Sequence, residues 1–315
     1  METESIMSKD DTKILKGIAI LFILLGHMNY FTWGGAGGVI IFLIISGYGN
    51  YKSLTINGIK GYWQKKITSI WIPYIIVGVY DTFVFSLSKT PEIIATITGM
   101  YSPYVADKTM WYISYILIWL LFLYLPFVIA GMTHKSKWLE RGLTIIIMIL
   151  AVIVTNRLTV LGYWHSGAGV DLYVAAFPIG VLLAIMDDVK IPQRIRCIFL
   201  CLLLFVSAII FTNKYQRETS QLLAFSMAVI PISLTMLTSE RIQKWRISRP
   251  LKWLGNYSYS IYLIEGIVIN FARKSLFGRL EYQPIIDAFS IGFILIVAFL
   301  FQQLNDIMRK RSSPM

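Results

Sequence analysis

Apolar residues in this chain come in long blocks rather than in alternation. Ten blocks of roughly 16–22 residues, the length that crosses a hydrocarbon core, are separated by short polar segments. Their bounds are about 14–30, 36–51, 67–87, 110–130, 139–157, 170–187, 194–212, 219–238, 255–272 and 284–305. Each reads as a membrane-crossing helix. An eleventh apolar stretch, 91–101, is too short to cross and reads as interfacial or re-entrant. No intervening segment is long enough to make a soluble domain. The pattern predicts an all-α fold: one polytopic integral membrane bundle of about ten transmembrane helices over residues 1–315. A short tail (1–13) precedes it and a basic tail (306–315) follows.

Composition agrees. The 315 residues are 56% hydrophobic and 15% charged, where a soluble domain carries about 25% charge. The net charge is +12, and its distribution is informative. With ten crossings, 21 of the 29 lysines and arginines fall on one side and eight on the other. The positive-inside rule then places both termini in the cytoplasm of a multi-pass plasma-membrane protein. Charge spread over short loops makes no nucleic-acid patch. Lys9, Lys13 and Lys16 precede the first block, as in a secretory signal, but the chain runs straight on into a second block. The first block is therefore expected to be an uncleaved span.

Small residues refine the picture. Gly34, Gly35, Gly37 and Gly38 suggest a tight turn that makes blocks one and two antiparallel neighbours. Gly47 and Gly49 suggest close backbone approach near the inner end of block two. Cys197 and Cys201 share a helix face but have no second pair, so no metal site is implied. Tryptophans near block ends, Trp111 among them, read as interfacial anchors, with substrate stacking as the alternative.

Four ionisable residues fall inside blocks: His27, Asp81, Asp171 and Glu265. A charge at mid-bilayer costs about 2.5–3.5 kcal/mol on insertion scales unless it is neutral, paired or wet. His27 lies eleven residues after Lys16, about 16 Å along a helix, and Glu265 is at similar depth in block nine. Equal depth suggests a His27–Glu265 pair in which the carboxylate orients the imidazole. The structural alternatives are an imidazole bonded to a backbone carbonyl and a carboxyl that glues helices together. Asp81 and Asp171 lie nearer the outer surface, within reach of water and of a substrate.

Five stretches, in order, resemble the signatures of the membrane acyltransferase 3 family. The first is Lys16-Gly-Ile-Ala-Ile-Leu-Phe-Ile-Leu-Leu-Gly-His27, a basic residue followed eleven positions later by histidine. The second is Phe42-Leu-Ile-Ile-Ser46-Gly47-Tyr48. The third is Lys65-Lys66-Ile-Thr-Ser69-Ile-Trp-Ile-Pro73. The fourth is Met110-Trp111-Tyr112-Ile113, and the last is Leu254-Gly255-Asn-Tyr-Ser258-Tyr259-Ser-Ile-Tyr262-Leu263. There are three departures. An arginine pair spaced R-x-x-R becomes Lys66 and Ser69, and lysine lacks the guanidinium fork. A histidine before the fourth-span tryptophan becomes Thr109, and a late histidine becomes Glu265.

The resemblance implies acyl transfer, usually of acetyl, from a cytoplasmic acyl-CoA co-substrate to hydroxyls of cell-envelope or exported glycans or lipid-linked sugars. No permanently bound cofactor is implied. His27 would be the catalytic base, with Glu265 in support. Lys16, Lys65, Lys66 and Ser46 would serve acyl-CoA, with Lys52 and Lys60 nearby. Trp111, Tyr259, Tyr262, Asp81 and Asp171 would face the acceptor or the oxyanion. Partners would include the bilayer and polysaccharide-synthesis machinery. Two competing readings are a transporter or flippase of a lipid-linked sugar and a catalytically inactive partner in a polysaccharide-synthesis complex.

Overall fold

The computed structural model describes residues 7–31, 33–85, 89–98, 108–132, 137–160, 173–192, 194–202, 205, 218–274 and 283–312. Regular structure among the described residues is helical throughout. In order come α1 (Lys9–His27), α2 (Gly34–Asn57), α3 (Tyr62–Lys66), a π turn (Ile67–Trp71), α4 (Ile72–Phe85) and α5 (Lys89–Thr98). A 3-10 turn (Lys108–Met110), α6 (Trp111–Met132), α7 (Lys137–Val160), α8 (Ala176–Asp188) and α9 (194–202) follow. The last three are α10 (Glu218–Lys244), α11 (Ser248–Lys274) and α12 (Gln283–Ser312). Among the described residues, five stretches are long and apolar enough to cross a membrane: Gly34–Asn57, Tyr62–Val84, Trp111–Gly131, Lys137–Leu158 and Gln283–Met308.

The chain packs as two compact units. One comprises Met1–Lys60 and Ile116–Asn256, the other Gly61–Tyr115 and Tyr257–Met315.

In the first unit α1 begins at Lys9 rather than 14 because polar residues cap it. The Ser8 hydroxyl accepts from the Asp11 amide at 3.1 Å, and the Ser8 amide donates to the Asp11 carboxylate at 2.9 Å. Ser239 and Gln243 of α10 also donate to that carboxylate, at 2.7 and 2.9 Å, so a buried acid pins α1 to α10. On the neighbouring Asp10, hydrogen bonds from Lys252 and then Lys13 hold the carboxyl below its ordinary range.

Glycines set the helix spacing. A Cβ on Gly17 would fall 2.1 Å from the Leu251 carbonyl oxygen, and one on Gly255 would fall 1.9 Å from that of Lys13. Gly47 and Gly180 make the same reciprocal approach between α2 and α8, at 2.2 Å from Phe177 oxygen and 1.9 Å from Ile44 oxygen. In both pairs each glycine abuts a carbonyl one turn back on the other helix, which is the geometry of parallel helices at close range. Gly38 against Ala19 and Gly26 against Gly35 join α1 and α2 antiparallel. The run Gly34–Gly38 is thus the first turn of α2 rather than the turn before it. Apolar neighbours favour continuing the helix, and the glycines are spent on packing. The reversal falls on the residues before them, where Asn29 takes a φ of 65°. Gly49 is exposed and approaches no backbone, so of the two glycines expected to bring helices together only Gly47 does.

Gly180→Ala is expected to push α8 off α2 and cost about 1–3 kcal/mol. Unfolding of the detergent-solubilised variant by denaturing surfactant checks it, with Gly49→Ala as the unaffected comparison.

In the second unit α3, the π turn and α4 form a continuous helical path. Pro73 lacks the amide that would bond back to Ser69, and the π turn lies immediately before it, with the Ile72 amide donating to Ile67. Ser260 donates to Gln302 at 2.7 Å, and the rings of Tyr257 and Phe299 lie 5.5 Å apart, joining α11 to α12.

Candidate functional site

His27 is the last residue of α1, half-buried. It stands at the helix end rather than deep within it, because α1 starts early and stops where the chain turns into α2. The edge-to-face pair Phe22–Phe31, 5.5 Å apart, packs at that reversal. Gly26 backs onto Gly35. Ser46 is eleven residues further along α2, about 16 Å away at 1.5 Å per residue. Lys16 is the same distance down α1. Ser46 therefore shares the level of Lys16, toward the capped end of α1, and stands away from the imidazole. It is half-buried, and its carbonyl accepts from the Asn50 side chain.

The second unit gathers another set. Tyr259, Tyr262 and Glu265 recur every three residues along α11 and so face one way. Tyr259 donates to the Ile70 carbonyl in the π turn at 2.6 Å. Tyr262 donates to the Thr109 carbonyl, and its ring meets Tyr112 edge-on at 5.8 Å. Trp111, two residues past Thr109, packs against Tyr115 at 5.7 Å. Thr109, where the family's pattern has a histidine, thus contributes its backbone. Glu265 is fully buried and Asp81, on α4, nearly so. Asp171 lies outside the described residues.

The basic approach to α4 is modest. Lys65 is exposed, and the Lys66 ammonium lies 5.1 Å from the centre of the Tyr62 ring. The Ser69 hydroxyl donates to the Lys65 carbonyl at 2.5 Å, so it is engaged by its own helix. Lys60 is exposed in the turn before α3. Tyr259→Phe is expected to free the π turn at a cost of about 1 kcal/mol, read as a lower melting temperature of the purified protein.

A family model described as an acyltransferase domain matches residues 11–302. The chain belongs to the acyltransferase 3 family. With its apolar helices, membership of this membrane acyltransferase family makes it a membrane protein. It is also similar to a Bacillus subtilis (strain 168) protein named "Putative peptidoglycan O-acetyltransferase YrhL", at 23% identity over 300 residues. The match covers 79% of this chain and 46% of that protein, so the chain spans less than half the relative's length. No solved structure matches it.

Sequence reasoning missed one charged assembly in this chain. Asp187, at the end of α8, accepts from Tyr48 at 2.9 Å and pairs with Lys52 at 2.7 Å and Arg196 at 2.9 Å. Asp188 pairs with Lys52 at 2.5 Å. Lys52, expected near acyl-CoA phosphates, is thus held by two carboxylates. Its pairing signal was present in the sequence as Asp187-Asp188 closing one block opposite a lysine closing another.

Proposed function

We propose that this chain transfers an acyl group, in the first instance acetyl, from cytoplasmic acyl-CoA to a hydroxyl of a cell-envelope glycan. The family match across residues 11–302 is the observation that carries the reading. The name of the Bacillus subtilis relative supports O-acetylation and makes peptidoglycan the first acceptor to try. His27 takes the hydroxyl proton as that oxygen attacks the thioester carbonyl. The tetrahedral oxyanion collapses, the carbon–sulfur bond breaks, and the imidazolium returns the proton to the departing thiolate. Glu265 orients and supports the imidazole, and Tyr259, Tyr262, Trp111, Asp81 and Asp171 serve the acceptor side. Lys16, Lys65, Lys66 and Ser46 serve the donor.

Ten crossings with both termini cytoplasmic, in the plasma membrane, fit this chemistry. The charge asymmetry supports that arrangement, and so do the parallel pairs α1/α11 and α2/α8 and the antiparallel pair α1/α2. The donor arrives from the cytosol and the polymer is built outside, with glycan-synthesis proteins as neighbours.

The test is purified protein in lipid nanodiscs with acetyl-labelled acetyl-CoA and muropeptides or lipid-linked glycan. Label in an alkali-labile ester on the glycan supports the reading. Glycan translocation without CoA dependence replaces it with a carrier.

A further inference from the structure

We infer that one end of the first unit carries a binding site for phosphate esters, built where α2, α7, α8 and α9 meet. A cavity of about 450 Å³ opens there, within the size range of small-molecule sites. Five cations and three carboxylates line it. The carboxylates of Asp187 and Asp188 are neutralised by Lys52 and Arg196. Lys137, Arg141 and Lys190 then face Glu140 alone, and the wall keeps a surplus of two positive charges. Lys137, Glu140 and Arg141 belong to the first turns of α7, so that helix offers the cavity its positive end.

Lys190 is the second observation. It holds a φ of 61° in the turn that closes α8, where the amides of Val189, Lys190 and Ile191 donate to the carbonyls of Ile185, Asp187 and Met186 respectively. Such a closing position ordinarily falls to glycine. The turn places the Lys190 cation on the cavity wall.

Two sources present this chemistry: the phosphates of a coenzyme A nucleotide and an anionic phospholipid headgroup. The first rests on the donor assigned under Proposed function, and the second is independent of it. The charge count puts this end of the unit in the cytoplasm, where both are found.

The test uses the full chain in zwitterionic nanodiscs, with adenosine 3′,5′-bisphosphate binding followed by calorimetry. In parallel, retention of phosphatidylglycerol is followed by native mass spectrometry. Lys190→Gly suits the turn and should melt no lower than wild type, while weakening the nucleotide about tenfold. If the headgroup is the ligand, Lys190→Gly instead loses the retained lipid and the nucleotide does not bind. Lys137→Ala with Arg141→Ala should act in the same direction, and exposed Arg249→Ala should have no effect. Either pattern supports the site and names its ligand. Unchanged binding of both probes in both variants, or binding of neither to the wild type, overturns it. Acetyl transfer measured separately keeps that failure distinct from a failure of the acyltransferase reading.

Discussion

Alanine at position 27 is expected to lower acyl transfer about 10²–10⁴-fold while the protein still inserts and melts near the wild-type temperature. The asymmetry follows from where the residue stands. α1 is fixed at its other end by the Ser8–Asp11 capping box and by the Gly17–Leu251 approach. His27 closes the helix, half-buried, and the α1–α2 reversal rests on Gly26, Gly35 and the Phe22–Phe31 contact. Truncation therefore removes an imidazole without removing the packing that holds the turn. Binding of acetyl-CoA should be unchanged and the loss should appear in kcat. Imidazole in the buffer should restore part of the rate to His27→Ala and none to Gly180→Ala, which would separate a missing proton acceptor from a distorted helix. Normal acetylation of the glycan by His27→Ala would end the catalytic assignment.

Five of the ten apolar blocks, the second to the fifth and the last, were legible as membrane-length helices among the described residues, because a bilayer imposes its requirement on runs, and runs survive errors of a few residues at each end. The ends themselves were less so. The first helix reaches back to Lys9 because Asp11 is buried by bonds from Ser239 and Gln243, residues over two hundred positions away. The Ser8-x-x-Asp11 spacing is a local capping signal, but nothing local announces the bonds from α10. Gly47 was correctly read as a place of close approach, whereas Gly49, two residues on, points away from any neighbour. A glycine pattern gives the capacity for contact, and the helix face decides which glycine uses it. The same limit applies to charge. Lys52 adds to the basic residues between two apolar blocks, yet its engagement with Asp187 and Asp188 depends on α2 and α8 running parallel. Ser69 stands where the family's second arginine is expected, and its hydroxyl bonds one turn back within its helix. That substitution was visible in the sequence, and its consequence was visible only in the structure.

Asp187→Ala is expected to be the most damaging change away from the proposed chemistry, at about 3–5 kcal/mol of stability. The carboxylate is 7% exposed and receives Tyr48, Lys52 and Arg196 at once. Removing it leaves Arg196, itself 8% exposed, as a buried cation whose other bond is to the Ile191 carbonyl. Lys52 keeps Asp188, so the penalty falls mainly on the guanidinium. A second substitution shows which cost dominates. Asp187→Leu alone should resemble Asp187→Ala, but Asp187→Leu with Arg196→Met should recover a large part of the loss, because an apolar pair needs no counter-charge. Surfactant-induced unfolding of wild type, Asp187→Leu, Arg196→Met and the double variant gives the coupling directly. If the double variant is as unstable as the sum of the two single changes, the two residues act independently. Asp187 would then stabilise the α2–α8 contact through Tyr48 and Lys52 instead.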